Sequence, residues 1–359
     1  MSKVIFACGG TGGHIYPALA LADKLKEMGL EIQFIGTADH IEAELVPAHG
    51  YPISFITISG FHRGLRLSNL LFPFKLILSL IQSKRLLKQF QPDLVIGTGG
   101  YVCGPVLRQA AKLQIATAVH ESNSYPGVTT RLLQDKVNQI YIAYERAADF
   151  LKSAKEIIVS GNPIRKITKM SKADARKDLK IADQFTLLIV GGSQGARSVN
   201  QAVEKILPDL DQSIQYNLIW QTGKLGYPDY KKHAGENRIV LAYFDDMYRI
   251  YSAADLIVCR AGAMSLAEVA AYHLPALIIP LKTAAADHQF YNARSFEING
   301  AAVLLRDNVE LDERLKFEIK RLYAETEELK EMTIKMKEMA RPEATDKIVE
   351  SVMKLIKRN

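Results

Sequence analysis

His14 stands directly after a loop of four glycines and a threonine, Gly9-Gly10-Thr11-Gly12-Gly13. A neutral imidazole at such a turn can act as a general base on a hydroxyl. Glu121 lies in the run His120-Glu121-Ser122-Asn123-Ser124-Tyr125-Pro126-Gly127. It is a second base, or a partner that orients His14, and Asn123 beside it offers an amide to sugar hydroxyls. The densest polar cluster runs from Cys259 to Pro280. A strand delivers Arg260, a small loop follows, and a helix starts near Met264. Glu268 then lies one turn into that helix, where it can reach a ribose diol while backbone N–H groups face phosphates. Downstream, Asp287-His288-Gln289 carries the donors and acceptors a hexose needs. Each of these groups also has an ordinary use as a helix cap or turn former.

Three double-glycine turns each follow a strand and precede a helix: Gly9 to His14, Gly97 to Pro105, and Gly191 to Ala196. Glycine lets a backbone approach a ligand, and the following helix N-terminus favours an anion such as a diphosphate. The dinucleotide fingerprint is only half present, and no acid ends the second strand at Gly36-Thr37. No phosphate-binding G-x-x-x-x-G-K-[ST] run exists, and the eight histidines form neither H-x-H nor H-E-x-x-H. Asp209-Leu210-Asp211 has the letters of a metal-binding D-x-D but follows Pro208 at a helix end. The expectation is therefore no metal and no cofactor.

These residues must be held by a scaffold, and the chain spells one out. Short β-branched runs alternate with amphipathic stretches: Val4–Ala7, Ile32–Ile35, Ile53–Ile58, Leu94–Ile96, Ile115–Val119 and Val137–Ile142 read as strands. The rhythm falters at Ser160-Gly161-Asn162-Pro163 and restarts with Phe185–Val190, Ile214–Trp220, Arg238–Leu241, Leu256–Cys259 and Ala276–Pro280. Two doubly wound α/β lobes are expected, 163–341 forming the second. Residues 342–359 would return to the first, 1–162, with Thr345–Arg358 as a helix that has Ile348, Val349, Val352, Leu355 and Ile356 on one face.

The length of 359 residues suits two such cores, and 48% hydrophobic with 24% charged residues is ordinary for a globular protein. The net charge of +7 admits anionic partners but is spread along the chain, so no nucleic-acid stripe is expected. Three scattered cysteines exclude a disulfide scaffold and suit a reducing compartment. The N-terminus enters a strand at once, so no secretory signal is expected.

Taken together and in order, GGTGGH, GGYVCGP, HE.N, GNPIR, GGSQGAR, FDDM, CRAGAMSLAE and DHQ.YNA resemble the MurG family over essentially the whole chain. The resemblance implies a GT-B glycosyltransferase fold with two Rossmann-like lobes and an interlobe cleft. It implies metal-independent, inverting transfer of N-acetylglucosamine from UDP-GlcNAc to the MurNAc 4-hydroxyl of undecaprenyl-pyrophosphate-linked lipid I, giving lipid II. The N-terminal lobe would take the acceptor and the C-terminal lobe the donor, at the cytoplasmic face of the membrane.

By motif, Thr11, Gly12 and Gly13 would line the cleft near the donor and the acceptor diphosphate, with His14 as base and Tyr101 and Glu121 on the acceptor side. Asn123 would contact the donor sugar, and Arg165 and Ser193 the nucleotide. Phe244 stands where the family reads uracil through backbone groups. Ala263, Met264 and Ser265 would cap phosphates and sugar, Glu268 hold the ribose, and Gln289 bind GlcNAc hydroxyls. The sequence departs from the family in having Cys103 where serine is frequent, an alanine-rich 282–287 loop, and His288.

A membrane surface has its own argument. From Phe72 to Ile81 the apolar side chains cover nearly every direction except the strip Lys75, Ser79 and Gln82. Arg63 and Arg66 precede this run and Lys84, Arg85 and Lys88 follow it, which suits peripheral contact with anionic lipid. Three rivals share parts of the pattern: a GT-B enzyme on another lipid acceptor, a sugar-nucleotide 2-epimerase, and a nucleotide-sugar sensor that would not need His14 or Glu121.

Overall fold

A computed structural model describes residues 1–60, 72–165, 167–192 and 195–358. The chain forms two compact units, Met1–Arg165 with the C-terminal segment from Arg341, and the intervening stretch to Ala340. The first crossing falls after Arg165 rather than Asn162, and the second before Arg341 rather than after it. Local contacts account for the difference. The Ile164 carbonyl accepts a hydrogen bond from Thr345 Oγ1, Arg165 bonds His49 at 2.7 Å, and a Cβ on Gly161 would lie 2.5 Å from Cβ of Arg341.

The first unit is a parallel sheet built from β1 (Lys3–Ala7), β2 (Glu31–Gly36), β3 (Ile53–Phe55), β4 (Leu94–Gly97), β5 (Ala116–Glu121), β6 (Gln139–Ile142) and β7 (Ile157–Val159). Its strand order is β3-β2-β1-β4-β5-β6-β7. Helices α1 (Gly12–Glu27), α2 (Glu42–Ala48), α3 (Phe72–Phe90), α4 (Cys103–Lys112) and α5 (Val128–Leu133) connect the strands. Along β1 the side chains alternate: Val4 and Phe6 enter one buried cluster with α1, while Ile5 and Ala7 enter another with α4. A strand buried on both faces needs the near-continuous apolar run that this sequence supplies.

The second unit opens with α6 (Lys172–Asp178), capped by Ser171, whose hydroxyl accepts the Asp174 N–H. Its sheet contains β8 (Thr186–Val190), β9 (Asn217–Gln221), β10 (Arg238–Leu241), β11 (Leu256–Cys259), β12 (Ala276–Ile278) and β13 (Ala302–Leu304), in the order β10-β9-β8-β11-β12-β13. The helices are α7 (Arg197–Ser213), α8 (Tyr227–Tyr230), α9 (Met247–Ala253), α10 (Ala263–Ala271), α11 (His288–Glu297), α12 (Leu311–Ala324) and α13 (Thr326–Met339). The chain then returns to the first unit as α14 (Ala344–Arg358), which packs on α1. It buries Ile348, Val349, Val352 and Leu355, on the order of 6–12 kcal/mol of apolar transfer before ordering costs.

In α3 one apolar side packs on the core through Leu76, Leu86, Leu87 and Phe90, and a second set of large apolar residues faces outward. Ser79, Ser83 and Leu87 are buried, with the serine hydroxyls donating to the carbonyls of Leu76 and Ser79. Phe74, Ile77, Leu78 and Ile81 are exposed, Phe74 by 72%. Lys84, Arg85 and Lys88 are exposed as well. Arg63 and Arg66 lie outside the described residues. Among the described residues, no helix is long and apolar enough to cross a membrane.

Candidate active site

An open parallel sheet binds ligands where its strand order reverses, beyond the carboxyl ends of the two strands involved. In the first unit that point lies between β1 and β4. The two loops there are Cys8 to Thr11 and Thr98 to Gly100, the first two of the three glycine turns. Gly10, Gly99 and Gly100 have positive φ angles of 93°, 115° and 84°. The turns also press together: a Cβ on Gly100 would lie 2.3 Å from the Gly9 carbonyl oxygen, and one on Gly99 would lie 2.4 Å from His14 Cδ2.

The His14 ring therefore rests against bare backbone. Its Nδ1 is 3.0 Å from the Gly9 carbonyl oxygen. A carbonyl only accepts, so Nδ1 carries the hydrogen and Nε2 is the basic nitrogen in the neutral ring. Thr98 Oγ1 donates to the His14 carbonyl at 2.6 Å and ties the start of α1 to the β4 loop. Gly12 and Gly13 form the first turn of α1 after the exposed Thr11, which makes no side-chain cap. Tyr101 lies over Gly10, where a Cβ would be 3.3 Å from its ring.

Glu121 does not orient His14. Its Oε1 accepts the Asn123 N–H at 3.1 Å and the Asn123 amide at 3.2 Å, and its Oε2 accepts the Gly127 N–H at 2.9 Å and the Thr130 hydroxyl at 2.7 Å. Four donors on a 5% exposed carboxylate make it the organiser of the 123–130 loop. The Gly9 carbonyl takes the orienting place instead. Asn123 is correspondingly drawn into this network.

Cys103 sits under the same loops. Its Sγ is 3.0 Å from the carbonyls of Ala7 and Gly99 and accepts the Gly99 N–H at 3.2 Å. Burial pushes its thiol up to about 12, so it serves here as a neutral hydrogen-bonding group in place of a hydroxyl.

Glu42 was not singled out in the sequence. It follows β2 by six residues, on the first turn of α2, and its carboxylate is completely buried. Oε1 accepts the N–H of Thr37 at 3.1 Å and its hydroxyl at 2.5 Å, while Oε2 accepts the Gly10 N–H at 3.1 Å.

In the second unit the order reverses between β8 and β11. A cavity of roughly 610 Å³ occupies that point, lined by Gly191, Gly192 and Ala196 after β8, Arg260, Gly262 and Ser265 after β11, and Gln289. Gly262 caps α10 without a side chain, and the first intrahelical bond runs from Leu266 N–H to its carbonyl. The amides of Ala263, Met264 and Ser265 thus precede the helix's own bonding pattern, where the helix end carries partial positive charge. Gln289 Oε1 holds the Leu281 N–H at 3.0 Å, fixing its carboxamide at the cavity edge. Next to it, Ala286 and Asp287 both adopt φ of 52°, a conformation costly for non-glycine residues and characteristic of functional loops.

The cavity wall holds a charged triangle. Arg260 bonds Asp307 at 2.9 Å and Ser198 Oγ at 2.9 Å, and Ser198 donates to Asp307 at 2.8 Å. Asp307 and Ser198 carry no motif and come from distant segments, so the sequence pointed only to Arg260. Glu268 and Phe244 lie outside the cavity lining. Glu268 accepts the Tyr251 hydroxyl at 3.2 Å, and burial, then the charge of Glu268, raises Tyr251 well above the usual phenol range. The Phe244 N–H donates to Gln221 Oε1 at 3.0 Å, while Gln221 Nε2 donates to the Gly192 carbonyl at 3.3 Å. Gln221 thereby links Phe244 to the third glycine loop. Arg165 belongs to the first unit, bonded to His49 and stacked over Tyr16 with its guanidinium 5.6 Å from the ring. Ser193 lies outside the described residues.

Two Rossmann-like units, each with a glycine-lined site at its switch point, define the GT-B fold. Residues 4–142 match the glycosyltransferase family 28 N-terminal domain and 186–348 its C-terminal domain. A Flavobacterium psychrophilum protein named UDP-N-acetylglucosamine--N-acetylmuramyl-(pentapeptide) pyrophosphoryl-undecaprenol N-acetylglucosamine transferase is 41% identical, over 99% of this chain and 98% of its own. One of the same name from Acetivibrio thermocellus is 38% identical with the same coverage. A crystal structure of Acinetobacter baumannii MurG superposes with TM-score 0.80 at 30% identity, covering 99% of this chain and 100% of that one. The chain belongs to the MurG family. A crystal structure of UDP-N-acetylglucosamine 2-epimerase is 15% identical with TM-score 0.65, covering 100% of this chain and 97% of that one, and shares the fold alone.

Proposed function

We propose that this chain transfers N-acetylglucosamine from UDP-GlcNAc to the MurNAc 4-hydroxyl of lipid I, with inversion, giving lipid II. The observation that carries the reading is 41% identity across 99% of the chain to a transferase of that name. The two sites supply a matching chemistry. The first unit holds the acceptor at the β1–β4 loops, with Thr11, Gly12, Gly13 and Tyr101 around it. His14 Nε2 takes the proton as the acceptor oxygen attacks the anomeric carbon. The bond from that carbon to the phosphate oxygen breaks, and UDP leaves with the electron pair.

The second unit holds the donor. Its charge gathers on the diphosphate in the transition state, where the amides of Ala263, Met264 and Ser265 and the guanidinium of Arg197, which lines the same cavity, stabilise it. This electrostatic arrangement is offered in place of a metal ion. Glu268, oriented by Tyr251, takes the ribose, and Gln289 a sugar hydroxyl. The backbone at Phe244 and the residue Ser193 serve the nucleotide. Glu121 keeps Asn123 and the 123–130 loop in place on the acceptor side.

A polyprenyl acceptor requires access to a bilayer. The outward stripe Phe74, Ile77, Leu78 and Ile81, with Lys84, Arg85 and Lys88 beyond it, supports peripheral binding to an anionic surface. The cytoplasmic face is the side on which such a protein would work.

The test offers radiolabelled UDP-GlcNAc with three alternatives: a short-chain lipid I analogue, diacylglycerol, or no acceptor. Label appearing in the lipid I analogue alone supports the reading. Label in diacylglycerol, or conversion of the donor without acceptor, replaces it with another lipid transferase or an epimerase.

A further inference from the structure

Glu42 and His14 meet on opposite ends of one peptide unit. The Gly9 carbonyl that accepts His14 Nδ1–H at 3.0 Å and the Gly10 N–H that donates to Glu42 Oε2 at 3.1 Å belong to the same Gly9–Gly10 peptide. We propose that Glu42 is a positioning residue for the transfer, setting the His14 tautomer through that peptide. The inference rests on His14 being the base.

A peptide between two glycines is among the easiest in a chain to turn over, because neither side carries a Cβ. Turned over, it would present an N–H to His14 Nδ1 and a carbonyl to Glu42. Nδ1 would then have to accept, the hydrogen would move to Nε2, and the nitrogen needed as base would be occupied. Nothing about the imidazole itself prevents this. The buried carboxylate does, because a carboxylate only accepts and repels a carbonyl oxygen facing it. Its other oxygen is fixed by both donors of Thr37, so it cannot swing aside. The Gly100 backbone, pressed against the Gly9 carbonyl, shapes the same orientation. The arrangement has the logic of a carboxylate–histidine pair with one amide inserted between its members.

Glu42→Gln is the discriminating substitution. Glutamine is isosteric, yet with its oxygen kept by the two Thr37 donors its NH₂ can donate to a turned-over carbonyl, so the orientation that the carboxylate refuses becomes satisfied. The tautomer is read by ¹⁵N NMR of histidine-labelled full-length protein, with His14→Ala assigning the signals. The wild type is expected as Nδ1–H. The Glu42→Gln variant is expected as a mixture of tautomers, with kcat down at least threefold in proportion and KM for UDP-GlcNAc within twofold. Thr37→Val, which removes a bond to the same carboxylate without touching the peptide, should keep the Nδ1–H tautomer. An unchanged tautomer in Glu42→Gln overturns the proposal, even where activity falls. So does a wild type found as Nε2–H, a result that needs no variant to fold. Failure of the base reading looks different: His14→Ala would then transfer normally while the tautomer results still held.

Discussion

Gly99→Ala separates the position of the imidazole from the integrity of the fold. An added Cβ would fall 2.4 Å from His14 Cδ2 and 2.9 Å from Nε2, where ordinary contact begins near 3.4 Å. The ring must withdraw by about 1 Å, away from the backbone that seats it. A displacement of that size at a reacting group costs on the order of 100-fold in rate, about 2.7 kcal/mol of transition-state stabilisation. The φ of 115° adds backbone strain of about 1–3 kcal/mol for a residue with a side chain. Gly29→Ala isolates that strain, since its φ of 85° is also positive and nothing lies within 4 Å of the new Cβ. The assay is GlcNAc transfer to a short-chain lipid I analogue, with UDP binding measured by calorimetry. Gly99→Ala should lose about two orders of magnitude in kcat and keep its UDP affinity. Gly29→Ala should lose only stability. Equal transfer rates for Gly99→Ala and wild type would refute the seating of the ring, as would an equal loss in both variants.

Further predictions concern other parts of the molecule. Arg260→Met leaves the part-buried Asp307 at the cavity wall beside a lone hydroxyl, which should cost about 1–3 kcal/mol and weaken UDP binding. Trp220, the single tryptophan and fully buried in the second unit, reports that unfolding by fluorescence, and an unmoved midpoint would show the triangle to be dispensable. Burial lowers the His120 pKa from 6.5 to about 4. Below pH 6.5 the unfolded chain takes up a proton that the folded chain refuses, so stability should fall as pH drops from 6.5 to 4, by about 3 kcal/mol in all. Urea titrations should show this slope in the wild type and lose it in His120→Asn; identical slopes would contradict it. Replacing Phe74, Ile77 and Ile81 together by serine should weaken sedimentation with anionic vesicles at least tenfold while leaving UDP binding intact. Transfer should stay within twofold in excess EDTA, and its abolition would demand a bound metal.

Much of this architecture could be read in the residues. The β-branched runs located eleven of the strands, and the three glycine turns marked the β1, β4 and β8 ends where ligands can sit. The missing strands were β7 and β13, three-residue edges too short to show a period. Helix α6 was hidden in a basic stretch because its apolar side is little more than Ala175, although Ser171, Asp174 and the final Arg176-Lys177 mark its ends. Pro208 suggested an end to α7, yet the helix continues to Ser213. The place of His14 at the strand switch point was legible because a glycine loop precedes it. Its true orienting partner was not, since a backbone carbonyl has no letter in the sequence. Glu42, Asp307 and Ser198 were invisible for a related reason: tertiary folding alone brings them to their partners. Glu121 carried the right type for a base, but its surroundings saturate both oxygens.

The central claim is that His14 supplies the base while the second unit alone holds UDP. The direct measurement is single-turnover transfer of radiolabelled GlcNAc to a short-chain lipid I analogue by wild type and His14→Ala, with UDP affinity determined on the same preparations. The account predicts loss of transfer in His14→Ala with UDP affinity unchanged. Transfer at the wild-type rate in His14→Ala would contradict it, and the proton would have to go elsewhere.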